Sequence, residues 1–254
     1  MFERGSLFRG SLNIVISGSE GYPLTFGAYG EGPEPIIKGT TPLSGWRNVA
    51  SNIWEAECPA CSDELNNLFV NGIRQPLGRY PNAGAPNEGY LSIDKTALDT
   101  LWDADIQGNW KRAEVVARTT RYTLNRFTVV AQENSALVLS LTGGKHNQLK
   151  EQYGYFFQNH PRCLDREGEW CYIPSTKKIR IFTRNAEILD KIEVTTSPYL
   201  IRIFEKEFIH FENLNLEAAN ENIITANRAQ HLSFKGLKFY NAGTHAFEIH
   251  GSQH

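Results

Sequence analysis

The chain has 254 residues, with 26 Lys and Arg against 28 Asp and Glu and a formal net charge of −2. That balance, with no clustered basic stretch, leaves no electrostatic footprint for nucleic acid or an anionic membrane, and the longest apolar run is far below a membrane span. At 28.7 kDa the chain can bury a large core.

The first 42 residues read as short strands separated by turns. Leu12-Asn13-Ile14-Val15-Ile16, Leu24-Thr25-Phe26-Gly27-Ala28 and Ile36-Ile37 are alternating or apolar runs. Ser17-Gly18-Ser19, Glu20-Gly21-Tyr22-Pro23 and Gly30-Glu31-Gly32-Pro33 are the turn signals between them. From 43 to 185 the pattern changes, and this stretch holds all five tryptophans: Trp46, Trp54, Trp102, Trp110 and Trp170. Its strand candidates are Leu68-Phe69-Val70 before an Asn71-Gly72 turn, Phe127-Thr128-Val129-Val130, Leu137-Val138-Leu139 and Lys178-Ile179-Arg180-Ile181-Phe182. A short helix is expected over 94–101. The stretch reads as an inserted, mostly β subdomain.

From 186 to 254 an apolar pattern recurs at a fixed interval. Ile201, Ile224 and Phe247 follow one another at an interval of 23, as do Ile203, Ala226 and Ile249. Ile209 with Leu232, Phe211 with Phe234, Leu214 with Leu237 and Leu216 with Phe239 keep the same spacing. A period of this length signals stacked repeats, each burying its apolar face against its neighbours. Alternation within each repeat is strand periodicity. Three strands follow: one at Ile224-Thr225-Ala226-Asn227, one at Ile209-His210-Phe211-Glu212, one at Leu214-Asn215-Leu216-Glu217. Asn213 and Gly236 mark a corner that needs left-handed backbone. The expected fold is all-β: a right-handed parallel β-helix of about 23 residues per coil, interrupted by the insertion.

Several motifs resemble a known group. Phe8-Arg9-Gly10-Ser11-Leu12, Ser17-Gly18 and Tyr22-Pro23-Leu24-Thr25-Phe26-Gly27-Ala28-Tyr29-Gly30 are similar to the opening coils of carbohydrate-active β-helix proteins of the pectate-lyase-like superfamily. Leu68-Phe69-Val70-Asn71-Gly72-Ile73-Arg74, Arg79-Tyr80-Pro81-Asn82 and Leu164-Asp165-Arg166-Glu167-Gly168-Glu169-Trp170 resemble one branch of it. That branch comprises β-helical glycoside hydrolases with an inserted β-sandwich, including β-xylosidase and α-fucosidase families. The resemblance implies a secreted or periplasmic protein whose partner is a polysaccharide or oligosaccharide. Residues 1–20 contain no apolar signal-peptide core, and His254 stands one full interval after His231, where another coil would begin. The expectation is therefore a fragment, with the catalytic carboxylates of related glycosidases tending to lie on later coils. The sequence carries no sign of oligomeric state.

Cys163 and Cys171 lie four residues either side of Glu167, as if facing across a hairpin, while Cys58 and Cys61 form a Cys-x-x-Cys pair. Disulfides, free thiols and, less readily, a zinc half-site are open for these four. Five of the seven histidines, His210, His231, His245, His250 and His254, fall in the last coils. Stacked polar side chains account for them as well as ligand roles do. No His-Glu-x-x-His pattern or Asp-rich calcium loop is present, and neither a metal nor another cofactor is expected.

In the resembled superfamily the strand of Ile201, Ile224 and Phe247 lines the cleft. Its outward residues form one column of Arg202, Thr225 and Glu248 and another of Phe204, Asn227 and His250. Glu248 is the carboxylate best suited to general acid–base work, with His250 on the same face. Arg202, Thr225, Asn227, Arg228 and His245 are the candidate substrate-binding residues. A glycosidase places two carboxylates about 5 to 9.5 Å apart. Thr225 is the ladder neighbour below Glu248, and a carboxylate near 271 would sit about 5 Å above it. A solvated, purely superficial Glu248 is the plainer alternative. A polysaccharide lyase acting on uronate polymers would draw on Arg202, Arg228 and Lys206. It ranks second, because no Lys–Arg pair lies at one-coil spacing on this strand. A non-catalytic adhesin or tail-spike-like module is the third reading. Trp54, Trp102 and Trp110 are open as sugar platforms or as core. The segment around Asp165 and Glu169 reads first as a turn.

Overall fold

A computed structural model describes residues 1–141 and 148–251; His254 lies outside the described residues. The protein is all-β, with parallel and antiparallel sheets both present. Contacts divide the chain into two units, one of residues 1–44, 58–74 and 187–254, the other of 45–57 and 75–186.

The first unit contains three wholly parallel sheets. Sheet A comprises Leu12–Ile14, Tyr199–Phe204, Asn222–Asn227 and Phe247–His250. Sheet B comprises Phe2–Glu3, Leu24–Tyr29, Glu207–Glu212 and Gln230–Lys235. Sheet C comprises Leu7–Arg9, Ile36–Lys38, Asn215–Glu217 and Lys238–Tyr240. The chain visits A, B and C in that order from Leu12, and again from Tyr199 and from Asn222. The register carries the interval of the sequence: Ile201 pairs with Ile224 and Ile224 with Phe247. Ile201 also pairs with Leu12, so the amino-terminal strands join the same ladders across the long excursion.

Backbone conformation repeats with the side chains. Left-handed φ recurs at Glu205, Arg228 and Gly251, at Phe208 and His231, at Asn213 and Gly236, and at Ala218 and Asn241. Each set keeps the same interval, so each marks the same corner in successive repeats. The core is a ladder of stacked apolar groups. Phe26, Phe211 and Phe234 stack with centroids 5.1 and 5.8 Å apart, and Ile14, Ile201, Ile203, Ile209, Leu216, Ile224 and Ala226 are buried around them. Ile249 pairs with Ala226 yet is 50% exposed, because its strand is an edge of sheet A.

A fourth, antiparallel sheet joins Thr40–Pro42, Ile192–Thr195, Leu68–Val70 and Ile73–Arg74. The Leu68-Phe69-Val70 strand and its Asn71-Gly72 turn therefore sit in the first unit. Glu193 ties this sheet to sheet C, through Arg9 at 2.5 Å and Lys38 at 2.8 Å, while the Thr40 hydroxyl donates to the same carboxylate at 2.8 Å. Nearby, Asn220 accepts from the Asn66 amide and the Thr195 hydroxyl. Gly243, at the equivalent position one repeat later, leaves no space for a side chain, since a Cβ there would lie 1.8 Å from the Asn220 carbonyl oxygen.

The second unit is antiparallel. Its eight-stranded sheet includes Glu114–Arg118, Leu124–Glu133, Ala136–Leu141 and Gly154–Gln158, and a four-stranded sheet joins Trp170–Ile173, Lys178–Phe182, Ile53–Glu57 and Arg47–Ala50. The strands expected at Phe127, Leu137 and Lys178 are all present.

One expectation is corrected and one open alternative is decided here. Residues 94–101 form no helix; Lys95–Ala97 and Thr100–Trp102 make a hairpin with Leu98 at φ 53° in its turn. Leu101 is fully buried and pairs with Leu137, so addition to the sheet outweighs local helix preference. Cys163 and Cys171 are not paired either. Cys163 ends a 3-10 turn, Pro161–Cys163, and the strand of Cys171 takes Lys178–Phe182 as its partner. Both thiols are buried, which pushes each up to about 12. The disulfide joins Cys58 and Cys61 instead, with Cα atoms 5.3 Å apart.

Candidate functional site

The outward face of sheet A is built by register. Parallel pairing aligns Asn13, Arg202, Thr225 and Glu248 in one column, and Phe204, Asn227 and His250 in the next. A third column, Tyr199 and Asn222, leads to His245, whose carbonyl accepts from the Ile223 amide. In the first two columns inward residues alternate with these and are locked in the core, which fixes the direction of the outward ones; before the third column two consecutive residues, Leu200-Ile201 and Ile223-Ile224, are buried.

Asn222 organises the polar groups at one end of this face. It is 8% exposed, and its Nδ2 donates to Glu248 Oε2 at 2.5 Å and lies 3.5 Å from Thr225 Oγ1. Its Oδ1 accepts from the Thr244 hydroxyl at 2.6 Å and faces His245 Nδ1 at 3.3 Å. The other Glu248 oxygen meets His250 Nε2 at 3.2 Å. The side chains of Glu248 and His250 remain 36% and 66% exposed, so the carboxylate is held but reachable from solvent. A carboxylate fixed by a carboxamide donor and an imidazole is equipped to accept or deliver a proton.

The structure thus gathers Glu248, His250, Thr225 and His245 around Asn222. Arg202 lies in the Glu248 column two strands away, about 10 Å by ordinary strand spacing, with its guanidinium 5.6 Å from the Tyr199 ring. Asn227 sits between Phe204 and His250 in the second column. Arg228 does not join the cluster. It occupies a left-handed corner, forms an ion pair with Glu205 at 2.7 Å and covers Phe204 at 4.9 Å.

Asn222 and Thr244 are not among the sequence candidates. The signal for Asn222 lies in the repeat, since it stands midway between Tyr199 and His245, one interval from each. Other candidates resolve differently. Trp110 is core: it is 2% exposed and stacks on Phe157 at 4.0 Å. His231 stacks on Phe208 at 4.4 Å. Glu169 is buried and accepts from the amides of Asp165 and Arg166, closing a turn around Gly168. Among the described residues, no group of three or more His, Cys, Asp or Glu is arranged to hold a metal ion.

No protein-family model matches the chain, and no curated protein matches it. A solved chain named "Glycoside hydrolase" superposes with a TM-score of 0.68 at 14% identity, covering 92% of this chain and 53% of its own length. Another, "The complex structure of XylC with xylose", gives a TM-score of 0.45 at 10% identity, covering 95% of this chain and 36% of its own. The chain spans about half the length of the first of these, and that likeness is one of fold.

Proposed function

We propose that this chain is part of a secreted or periplasmic carbohydrate-active protein, a glycoside hydrolase, whose outward sheet A face binds an oligosaccharide or polysaccharide. On this reading sheets A, B and C are the three faces of right-handed parallel β-helix coils. The repeated A, B, C order and the regular recurrence of left-handed corners support it. The functional reading is carried by one observation: a solvent-reachable carboxylate, Glu248, held by Asn222 and His250 on a face that also presents Arg202, Thr225 and Asn227. The fold shared with a chain named "Glycoside hydrolase" is in keeping with it. The Cys58–Cys61 disulfide supports an oxidising compartment.

Glu248 is the general acid–base carboxylate in this proposal. Its ladder neighbour is Thr225, so among the described residues of this column Glu248 is the one carboxylate of the pair that a glycosidase uses. A lyase on uronate polymers is less well supported, because Arg228 is taken by Glu205.

The test has a binding and a kinetic arm. Neutral trisaccharides (cellotriose, xylotriose, galactotriose) are titrated into the chain, with Glu248→Ala expected to weaken the best of them about tenfold, the loss of one charged hydrogen-bonding group. In a protein that continues the ladder past this sequence, Glu248→Gln lowers aryl glycoside hydrolysis by at least about 100-fold. Unchanged affinity and unchanged rate would reduce Glu248 to an ordinary surface residue. New absorbance near 235 nm on uronate polymers would select the lyase.

A further inference from the structure

We propose that the second unit carries its own binding site for a saccharide bearing a carboxylate, in the cleft lined by Arg118, Arg121, Tyr90, Tyr153 and Gln152. This inference is independent of the sheet A proposal. The cleft has a volume of about 470 Å³, within the range of sites that take small organic ligands and larger than a simple anion needs.

Charge points to the ligand class. Two guanidinium groups line the cleft against a single carboxylate, Glu88, and among the described residues neither Arg118 nor Arg121 forms an ion pair. Lys150 adds a third positive charge 5.4 Å from the Tyr153 ring. An exposed pair of planar forks suits bidentate capture of a carboxylate. The aromatic groups supply what a free anion would leave unused. Sugar rings pack their C–H faces on aromatic planes, and Gln152 supplies donors and an acceptor for hydroxyl groups.

The site is also built in advance of its ligand. The Tyr90 ring is held edge-on to Phe156 at 5.6 Å, with the Arg79 and Arg118 guanidinium groups 5.3 and 5.7 Å from its centroid. Gly154 makes room for it, since a Cβ there would lie 2.8 Å from the ring. The rim carries two consecutive left-handed residues, Asn87 at φ 56° and Glu88 at φ 53°. They are clamped by Asn87 Nδ2 donating to the Tyr90 carbonyl at 3.0 Å and Arg79 donating to the Gly89 carbonyl at 2.8 Å. Non-glycine residues in this region cost free energy and cluster at binding loops.

Calorimetric titration with trigalacturonate at low salt tests the proposal, with galactotriose and inorganic phosphate as controls. Trigalacturonate binding is expected to weaken at least about tenfold in the Arg118→Ala/Arg121→Ala double variant and to fall as salt rises. Both side chains are exposed, so the variant keeps the wild-type melting temperature, which is checked alongside. Galactotriose does not compete, and phosphate competes only as salt does. The proposal is overturned by no binding at low millimolar concentration, by equal affinity in the double variant, or by phosphate matching trigalacturonate. None of those outcomes bears on neutral-sugar binding by sheet A, so the two proposals fail separately.

Discussion

Glu193 shows how far a single residue's surroundings can set the response of this protein to pH. Burial would raise its carboxyl, but hydrogen bonds from Arg9, Lys38 and Thr40 outweigh that and bring it from the ordinary 4.5 down to about 2. A carboxylate depressed on folding contributes stability above its unfolded value, and that contribution drains away as pH falls through the folded one. The pH window is therefore about 4.5 to 2, and the contribution at neutral pH is on the order of 3 kcal/mol. Thermal melts of the wild type and Glu193→Gln across this window check it. The variant should start lower and lose less on acidification; parallel curves would show that the cluster contributes nothing net. The cluster was invisible in the sequence, since Arg9 and Lys38 meet Glu193 only through pairing of strands that lie far apart along the chain. Glu248 was visible because it shares a repeat position with Thr225 and Arg202. Its immediate partner, Asn222, is harder to read, because a single carboxamide at the start of a strand looks like turn chemistry until its column is followed.

At the scale of elements, the apolar ladder carries the stability of the first unit. Phe211 is fully buried between Phe26 and Phe234. Phe211→Ala should destabilise by about 3–5 kcal/mol, the usual cost of deleting a buried aromatic side chain. Chemical denaturation measures this, and a loss under about 1 kcal/mol would mean that the ladder tolerates voids well beyond ordinary cores. Sheets A, B and C were legible because a repeat shows its own register: equal spacing names the strand neighbour directly. The antiparallel unit has no such signal. Its strands at Phe127, Leu137 and Lys178 could be seen as alternating runs, but not which strand pairs with which. The 94–101 segment became a hairpin because Leu101 finds a place beside Leu137, a long-range contact that local propensity does not register. The cysteines follow the same rule, since Cys171 lies opposite Arg180 and not opposite Cys163.

At the scale of the whole molecule, one chain joins a unit built on three parallel sheets to an antiparallel one, and each presents a polar surface of distinct character. The sheet A face is organised around a carboxylate and an imidazole, whereas the cleft of the second unit is dominated by arginine and tyrosine. Parallel stacking at a constant interval is what converts residues scattered from Arg202 to His250 into the first of these surfaces. The most direct test of that claim is an amide chemical-shift map recorded while the best-binding neutral trisaccharide is titrated into the chain. The largest shifts are predicted at Arg202, Asn222, Thr225, Asn227, Glu248 and His250 together, tracing columns and not a continuous segment. Shifts confined to one stretch of sequence, or centred on residues outside sheet A, would contradict the account.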